Sequence, residues 1–411
     1  MKTFSFISMI AVFLLYFPNG IQAQDPQTQP APVVIGSRET IYSKILNEQR
    51  RILVYVPFSA SSEIYTKQRY PVVYLLDGAT YHFSSVASMI QSLSPSFCPE
   101  MIVVGIPNTD RTRDLTPTHM DSWQFLDFVL EGDLSKTSGG GEKFISFIEK
   151  ELIPHIDSLY PTAPYRMLIG HSFGGLTVMN TLIHHTNLFK AYVAIDPAMS
   201  WGNQNLLKET KKALETNNYS GVSLFLGIAN TMNVGMDTIK VKKDTTKITE
   251  HIRSLFELRD YLNNNSQNQL SHAYKYYGND NHNSVVMITE YDEFRFIFDY
   301  YNFNLFSDDY KNLESLYENI SKHFGYKVKP PESMVNNLAN NYLSIKMSDA
   351  AIYLFKLNVR NYPESYNVYN SIGDFYAAKG DNAIARDNYK KALSIKEIPA
   401  VRQKLEKIQG K

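Results

Sequence analysis

The chain has 411 residues, of which 44% are hydrophobic and 20% charged, and 41 basic side chains balance 41 acidic ones. The length suits one large domain with a smaller one, and a net charge of zero with no basic stripe argues against nucleic acid and anionic membranes as partners. The single cysteine, Cys98, rules out an internal disulfide and gives little support to cysteine catalysis or a cysteine-based metal site.

The N-terminal segment has the composition of a secretory signal. Lys2 precedes an apolar run over residues 4–17 that is too short to span a bilayer comfortably, and the small residue Ala23 closes the segment. We expect residues 1–23 to be cleaved and the protein to be exported, either to the periplasm or out of the cell. Residues 24–34 are polar and proline-rich, which predicts a disordered lead-in.

Residues 35–305 carry short apolar or alternating runs separated by helical segments. Such runs predict an α/β fold, with a mostly parallel sheet and helices on both of its faces. One intervening helix is clear within residues 144–156, where apolar side chains share a face after three consecutive glycines. The predicted strands are Thr40–Ile45, Arg51–Val56, Tyr70–Leu76, Met101–Ile106, Tyr165–Ile169, Ala191–Ile195, Val222–Ile228 and Ala273–Tyr277.

The pattern beyond this region is all-helical. We predict a connecting helix within residues 306–330 and tetratricopeptide-like helical repeats over residues 331–411. Small and aromatic residues recur about 34 positions apart, as in Leu338-Ala339 and Ile372-Gly373, and this is the tetratricopeptide period. Two repeats are few for an independent array, so we expect them to pack on the preceding domain or helix. A generic helical extension is the alternative.

The sequence G-H-S-F-G at residues 170–174 follows an apolar run and precedes a helix-like run. This is the G-x-S-x-G pattern in the strand–turn–helix context of a nucleophile elbow, where a sharp turn exposes the serine Oγ above the sheet. We therefore predict that Ser172 is a nucleophile. A plain glycine-rich turn is the alternative.

A serine nucleophile needs a general base, and His282 is the best candidate. It lies in the turn-rich sequence G-N-D-N-H-N-S at residues 278–284, directly after a predicted strand. The loops at the carboxyl ends of parallel strands meet at one edge of the sheet, where the base must be to reach Ser172. A solvated loop histidine is the alternative.

The third member of the site, an orienting acid, is harder to assign. It should follow the strand at residues 222–228, but the first polar residues there include Asn230 rather than a carboxylate. We predict Asp237 as the acid, with Asp244 and Glu250 as alternatives. A Ser–His pair with a polar orienter is also open, since the acid holds the imidazole tautomer and does not perform the chemistry.

An oxyanion hole should complete the site. The backbone N–H of Phe173, the residue after the nucleophile, is one expected donor, and the N–H of Ala79 in the loop after an early strand is the second. We expect Asp77 in that loop to fix its conformation rather than to act as an acid. No metal ion and no organic cofactor are implied.

With these residues assembled, the chain resembles the esterase D / enterochelin-esterase-like family of α/β-hydrolases, which includes feruloyl esterases and mycolyltransferases. The resemblance covers residues 35–300, and the helical tail is similar to that of secreted bacterial members with tetratricopeptide-like repeats. Two positions depart from the family pattern: Asn230 stands where many members carry an acid, and residues 195–198 (I-D-P-A) replace a serine-rich stretch. The matching segments are residues 72–78, 111–117, 139–157 and 170–175, and the His282 loop.

Together these features predict an exported serine esterase that cleaves a carboxylic ester through an acyl-enzyme. The resemblance implies ferric-siderophore esters, acylated plant polysaccharides or small aryl esters as substrates. Two alternatives are a degenerate hydrolase that acts as a secreted binding or scaffold protein, with its repeats docking a protein partner, and an acyltransferase that uses a sugar alcohol in place of water.

Overall fold

A computed structural model of the chain describes residues 32–301 and 309–409. The predicted signal, residues 1–23, lies outside these ranges, as does most of the predicted lead-in. Within them, no helix combines the length and apolarity needed to cross a membrane. The chain from Ile35 onward forms one compact unit, so the boundaries predicted near residues 305 and 330 stay predictions.

The centre of the fold is an eight-stranded sheet with the order β1-β2-β4-β3-β7-β8-β9-β10. Strands β1, β2 and β4 pair antiparallel at one edge, and β4, β3 and β7 to β10 pair parallel. Two short strands, β5 and β6, form a separate hairpin. The strands are β1 Ser37–Ser43, β2 Glu48–Tyr55, β3 Tyr70–Leu76, β4 Ile102–Ile106, β5 Trp123–Phe125, β6 Phe128–Leu130, β7 Thr162–His171, β8 Ala191–Ile195, β9 Ser223–Ala229 and β10 Ser271–Tyr277.

Helices connect the parallel strands and cover both faces of the sheet. A π-helical turn at Ile148–Leu152 joins α4 to α5, so the predicted helix over residues 144–156 is confirmed as one continuous helical run. The helices are α1 Thr80–Leu93, α2 Arg111–Leu115, α3 Asp133–Thr137, α4 Gly141–Phe147, α5 Ile153–Leu159, α6 Phe173–His184, α7 Trp201–Thr216, α8 Glu250–Asn264, α9 Val285–Ile297, α10 Leu313–Phe324, α11 Glu332–Ser344, α12 Ser348–Asn361, α13 Tyr366–Lys379, α14 Asn382–Ile395 and α15 Pro399–Gln409.

The central strands are apolar on both faces because each face is covered. In β3, Tyr74 and Leu76 belong to one hydrophobic cluster while Val73 and Leu75 belong to the other, and all four side chains are buried. Burying a side chain of this size contributes about 1.5–3 kcal/mol to folding. The predicted α/β class with a mostly parallel sheet is confirmed.

The C-terminal helices share one of these clusters with the sheet. Tyr165 of β7 stacks on Phe324 of α10, with ring centroids 4.6 Å apart, and Val335 of α11 lies in the same cluster. The buried carboxylate of Glu332 accepts hydrogen bonds from the Thr66 backbone N–H at 2.9 Å and from a tail hydroxyl. The all-helical tail is thus joined to the sheet domain by apolar and polar contacts.

The tail helices begin with a spacing that matches the predicted period. Helix α11 begins at Glu332 and α13 at Tyr366, 34 positions later. Gly373 of α13 faces the ring of Tyr389 in α14, and a Cβ at Gly373 would come within 2.6 Å of that ring. A small residue is therefore required where these helices touch. The tetratricopeptide likeness itself stays a prediction.

One buried acid on α9 is a source of instability. Glu293 is fully buried, and among the described residues neither of its carboxylate oxygens has a hydrogen-bond partner. Burial, with the neighbouring Glu290, raises the pKa of Glu293 well above its usual value. The folded protein then keeps a proton that the unfolded chain releases, so the contribution of Glu293 to stability is greatest at acidic pH and falls as the pH rises from about 4.3 towards the pKa in the folded state.

Glu293→Met is expected to stabilise the protein at pH 8 by about 1–3 kcal/mol, because it removes a buried ionisable group and keeps the side-chain volume. Thermal unfolding at pH 5 and pH 8 measures the effect, which should shrink at pH 5. The same change at the exposed Glu364 serves as the control. An equal gain at both pH values would contradict the explanation by ionisation.

Candidate active site

Ser172 occupies a sharp turn between β7 and α6. Its backbone has φ 59° and ψ −113°, a strained conformation for a residue with a Cβ. The turn requires glycine before the serine, since a Cβ at Gly170 would lie 2.4 Å from the carbonyl carbon of Gly174. The predicted strand–turn–helix context of Ser172 is present in the structure.

Phe173 begins α6, directly after this serine. The first N–H groups of a helix have no partner within the helix, and the positive end of the helix dipole lies at the same place. The Phe173 N–H lies at this helix end beside Ser172, and its role as an oxyanion donor stays a prediction. Its side chain packs edge-on against Trp201, with ring centroids 5.1 Å apart.

His282 lies in the loop between β10 and α9. Its Nδ1 is 2.6 Å from Oδ2 of Asp196, and its backbone carbonyl accepts a hydrogen bond from His171 Nε2 at 2.7 Å. Burial, with His282 alongside, lowers the pKa of His171 to about 4, so His171 is a neutral donor at neutral pH. Because His171 immediately precedes Ser172, this bond ties the His282 loop to the elbow.

Asp196 follows β8, the strand next to the one that ends at the serine. The Ser172 N–H donates to the Ile195 carbonyl at 2.9 Å, so the two turns lie side by side. The Asp196 side chain is fully buried, and its Oδ1 accepts the Ala229 N–H at 2.9 Å. Burial alone would raise the pKa of Asp196, but the facing His251 and His282 outweigh it and hold that pKa well below its usual range.

The structure does not bring the predicted acid, Asp237, to His282. The Asp237 side chain is 54% exposed and accepts the N–H groups of Ile239 and Lys240 at 2.9 and 2.8 Å. It stabilises its own loop, and the carboxylate that contacts His282 is that of Asp196.

The two alternative acids are also engaged elsewhere. Asp244 accepts the Thr246 N–H at 2.7 Å, and Glu250 pairs with Lys247 at 2.9 Å. Asn230, which stands where an acid was expected, donates its side-chain N–H to the Gly278 carbonyl at 2.9 Å. Asn230 thereby connects the end of β9 to the loop that carries His282.

The loop after β3 is fixed as expected by Asp77. Both Asp77 carboxylate oxygens accept hydrogen bonds from the Arg111 guanidinium at 2.8 Å, and Asp77 has a positive φ of 53°. The Ala79 N–H, predicted as an oxyanion donor, donates to the Asp77 carbonyl at 2.7 Å in this state. It would have to leave that turn to serve an oxyanion, so its role stays a prediction.

The unpredicted hairpin β5–β6 supplies an aromatic wall to the site. The ring of Phe125 lies 4.7 Å from that of His282 and 4.9 Å from that of His251, centroid to centroid. Trp123 lies 5.1 Å from Phe173 and 5.5 Å from Trp201. Trp123 and Trp201 are buried in the core, so the partly exposed Phe125 is the ring of this group that covers the imidazole of His282.

Asp196, His251 and His282 also lie close enough to be considered for a metal ion, with one ligand atom of each within 4.8 Å of the others. These atoms are already hydrogen-bonded to one another, with Asp196 Oδ2 accepting from both rings. A carboxylate whose oxygens already accept hydrogen bonds from three donors needs no ion, so we assign the three side chains to a hydrogen-bond network.

The mostly parallel sheet, its strand order and the covering helices define an α/β-hydrolase fold. The chain belongs to the esterase family described as "Putative esterase", whose model matches residues 43–284.

Among curated proteins, the ferri-bacillibactin esterase BesA of Bacillus subtilis is 34% identical over 153 residues, which are 34% of this chain and 52% of BesA. The siderophore enterobactin esterase of Emericella nidulans is 27% identical over 165 residues, which are 37% of this chain and 52% of that esterase. The chain therefore spans about half the length of these relatives.

Solved structures extend the similarity. The crystal structure of an IroE-like serine hydrolase from Shewanella oneidensis has a TM-score of 0.68 and 29% identity, covering 79% of this chain and 99% of its own. An uncharacterised protein from Capnocytophaga ochracea covers 92% of this chain and 100% of its own, with a TM-score of 0.56 and 18% identity, and shares the fold.

Proposed function

We propose that the protein is a serine esterase that hydrolyses a carboxylic ester through an acyl-enzyme. The observation that carries the proposal is the contact of His282 Nδ1 with the buried carboxylate of Asp196, beside the Ser172 elbow. A buried carboxylate on Nδ1 keeps the proton there and leaves Nε2 free to accept one from a serine. Membership of an esterase family and the siderophore-esterase relatives support the same activity.

In the proposed reaction His282 Nε2 takes the Ser172 hydroxyl proton while Oγ bonds to the ester carbonyl carbon. The negative charge on the carbonyl oxygen is stabilised by the Phe173 N–H at the start of α6, with Ala79 as the second candidate donor. The carbon–oxygen bond to the alcohol then breaks, and the alcohol leaves with the proton from His282. Water then attacks the acyl-enzyme by the same two steps, with His282 as the base, and the carboxylic acid is released as Ser172 regains its proton.

We propose a small-molecule ester as the substrate, with siderophore esters first because two relatives are named as siderophore esterases. The partly exposed ring of Phe125, which contacts His282, favours an apolar group near the reacting carbon. Feruloyl or acetyl esters of glycans and small aryl esters are the other candidates. A panel of purified esters, compared by kcat/KM, separates these classes.

A secreted binding protein with a degenerate site and an acyltransferase are the competing functions. Reaction with a fluorophosphonate probe distinguishes the first, because only an activated serine is labelled. Product analysis with and without an added sugar alcohol distinguishes the second. Hydrolysis products alone in both samples would support the esterase.

We further propose that the protein is exported and that its tail, from residue 331 onward, supports the hydrolase domain. The apolar N-terminal run supports export, and the N-terminal sequence of protein recovered outside the cytoplasm tests it. The contacts of Val335 and Glu332 with the sheet domain support the role of the tail.

A shortened chain ending at residue 330 is expected to keep the chemical step but to unfold at a lower temperature, because removing α11 exposes apolar surface of the shared core. Thermal unfolding and kcat on one ester measure the two effects separately. A soluble, stable shortened chain with a specific loss of kcat would mean that the tail contributes to the active site.

A further inference from the structure

Asp196 is contacted by a second histidine that the proposed mechanism does not use. His251, on the first turn of α8, is 1% exposed, and its Nε2 lies 3.0 Å from Asp196 Oδ2. This is the same oxygen that faces His282 Nδ1 at 2.6 Å. Since a carboxylate only accepts, both imidazoles donate to one oxygen.

Among the described residues, the hydrogen bond to Asp196 is the one hydrogen bond that the His251 ring makes. His251 Nδ1 is buried and has no hydrogen-bond partner among the described residues. The Phe125 ring packs edge-on against the His251 ring, with centroids 4.9 Å apart. Leaving a buried polar atom unpaired costs about 1–3 kcal/mol, which a purely structural core would avoid with an apolar side chain.

The Asp196 carboxylate is held from three directions. The Ala229 N–H fixes Oδ1, and His251 and His282 share Oδ2. Each donor withdraws part of the carboxylate charge, so a second imidazole weakens the stabilisation that Asp196 gives to the protonated form of His282.

We propose that His251 is a positioning residue, which shares the Asp196 carboxylate with His282 and so sets the pH at which His282 can accept the Ser172 proton. The inference rests on the proposed esterase function and deepens its mechanism. His251 touches neither the serine nor the reacting carbon in this scheme and acts through Asp196.

The other charged or titratable groups around His282 are few and have defined partners. His171 is neutral and donates to the His282 carbonyl, and Arg111 pairs with Asp77. Asp280, in the His282 loop, accepts from the Ser284 hydroxyl. The rings of His171, Phe125 and His251 also face the His282 ring, with centroids 4.5, 4.7 and 5.6 Å away. A change at His251 therefore reaches His282 through Asp196 or through the contact between the two rings, and His251→Gln separates the two because it keeps a donor to Asp196 and lacks the ring.

The test compares His251→Leu, which removes the donor, with His251→Gln, whose amide nitrogen can reach the Nε2 position. In the leucine variant the acidic limb of the kcat/KM profile should move to higher pH by about half a unit to one unit, because Asp196 then acts on His282 alone. In the glutamine variant the limb should return to within about a quarter of a unit of its original position.

His184→Leu is the matched control, since His184 is an exposed histidine at the end of α6 that pairs with Glu209. Should the leucine variant not fold, His251→Asn replaces it, because the shorter asparagine amide leaves Asp196 Oδ2 without this donor. The asparagine variant should show the same upward shift.

An unmoved or downward-moving limb in the donor-free variants, or equal limbs in the leucine and glutamine variants, would overturn the inference. Failure of the proposed function is recognised separately. In that case the unsubstituted protein neither reacts with a fluorophosphonate probe nor hydrolyses any ester, whereas failure of the inference alone leaves the unsubstituted protein an active esterase.

Discussion

Ser172→Ala is expected to leave about 10⁻⁴ or less of kcat for ester hydrolysis while the fold is kept. The substitution removes the atom that forms the acyl-enzyme, and the residual rate comes only from binding and from the oxyanion donors. Alanine fits in place of serine because the hydroxyl is not needed to hold the turn, which is secured by the Ser172 backbone bonds to Ile195 and Ala198. Hydrolysis of p-nitrophenyl acetate and circular dichroism measure the two properties.

Ser158→Ala is the matched control, because Ser158 is exposed and its hydroxyl bonds only to the carbonyl of its own helix turn. That variant should keep full activity. Most of the activity surviving in Ser172→Ala, with an unchanged circular dichroism spectrum, would show that another group is the nucleophile.

Asp196→Asn is expected to lower kcat by about 10²–10⁴-fold. An amide can present its N–H to His282, which favours the imidazole tautomer with its proton on the nitrogen facing the serine, and a neutral side chain does not stabilise the imidazolium. Steady-state kinetics on the same ester measure the effect, and KM is expected to change much less than kcat.

Asp237→Asn is the control for this prediction. Asp237 is a half-exposed loop residue that caps its own turn, so its amide variant should lose less than about threefold in kcat. A large loss at Asp237 with a small loss at Asp196 would reverse the assignment, and two small losses would indicate a Ser–His pair that needs no acid.

The parts of the site that depend on local sequence were predictable. The turn at Ser172 is set by neighbouring glycines, and the loop of His282 is set by polar turn residues directly after a strand. The strands β3 and β8 were also predicted at their observed bounds, because a run of apolar residues that ends at a turn is a local signal.

Asp196 was not predicted as the acid because its role depends on which strands are neighbours. The family pattern directed attention to the end of β9, whereas the carboxylate that contacts His282 lies directly after β8. The available signal was a lone carboxylate directly after a buried strand, in the segment I-D-P-A that departs from the family. Pairing of β8 with both β7 and β9 turns that position into the centre of the site.

The roles of the β5–β6 hairpin and of His251 could not be predicted from sequence for the same reason, since both depend on tertiary contacts. Trp123 and Phe125 lie in β5, a strand of three residues that is too short to produce a periodic pattern. Their positions in the site come from contacts with rings that are distant in the sequence. His251 reads from sequence as one more position in an amphipathic helix, and only the tertiary structure brings it to Asp196.

The most direct test of the central claim is the site of covalent labelling by a fluorophosphonate probe, determined by mass spectrometry of the digested protein. We predict one adduct, on Ser172, which forms much more slowly in Asp196→Asn and at the normal rate in Asp237→Asn. Absence of an adduct, or an adduct on a different serine with Ser172 unmodified, would contradict the proposal that Ser172, His282 and Asp196 form the catalytic site of an esterase.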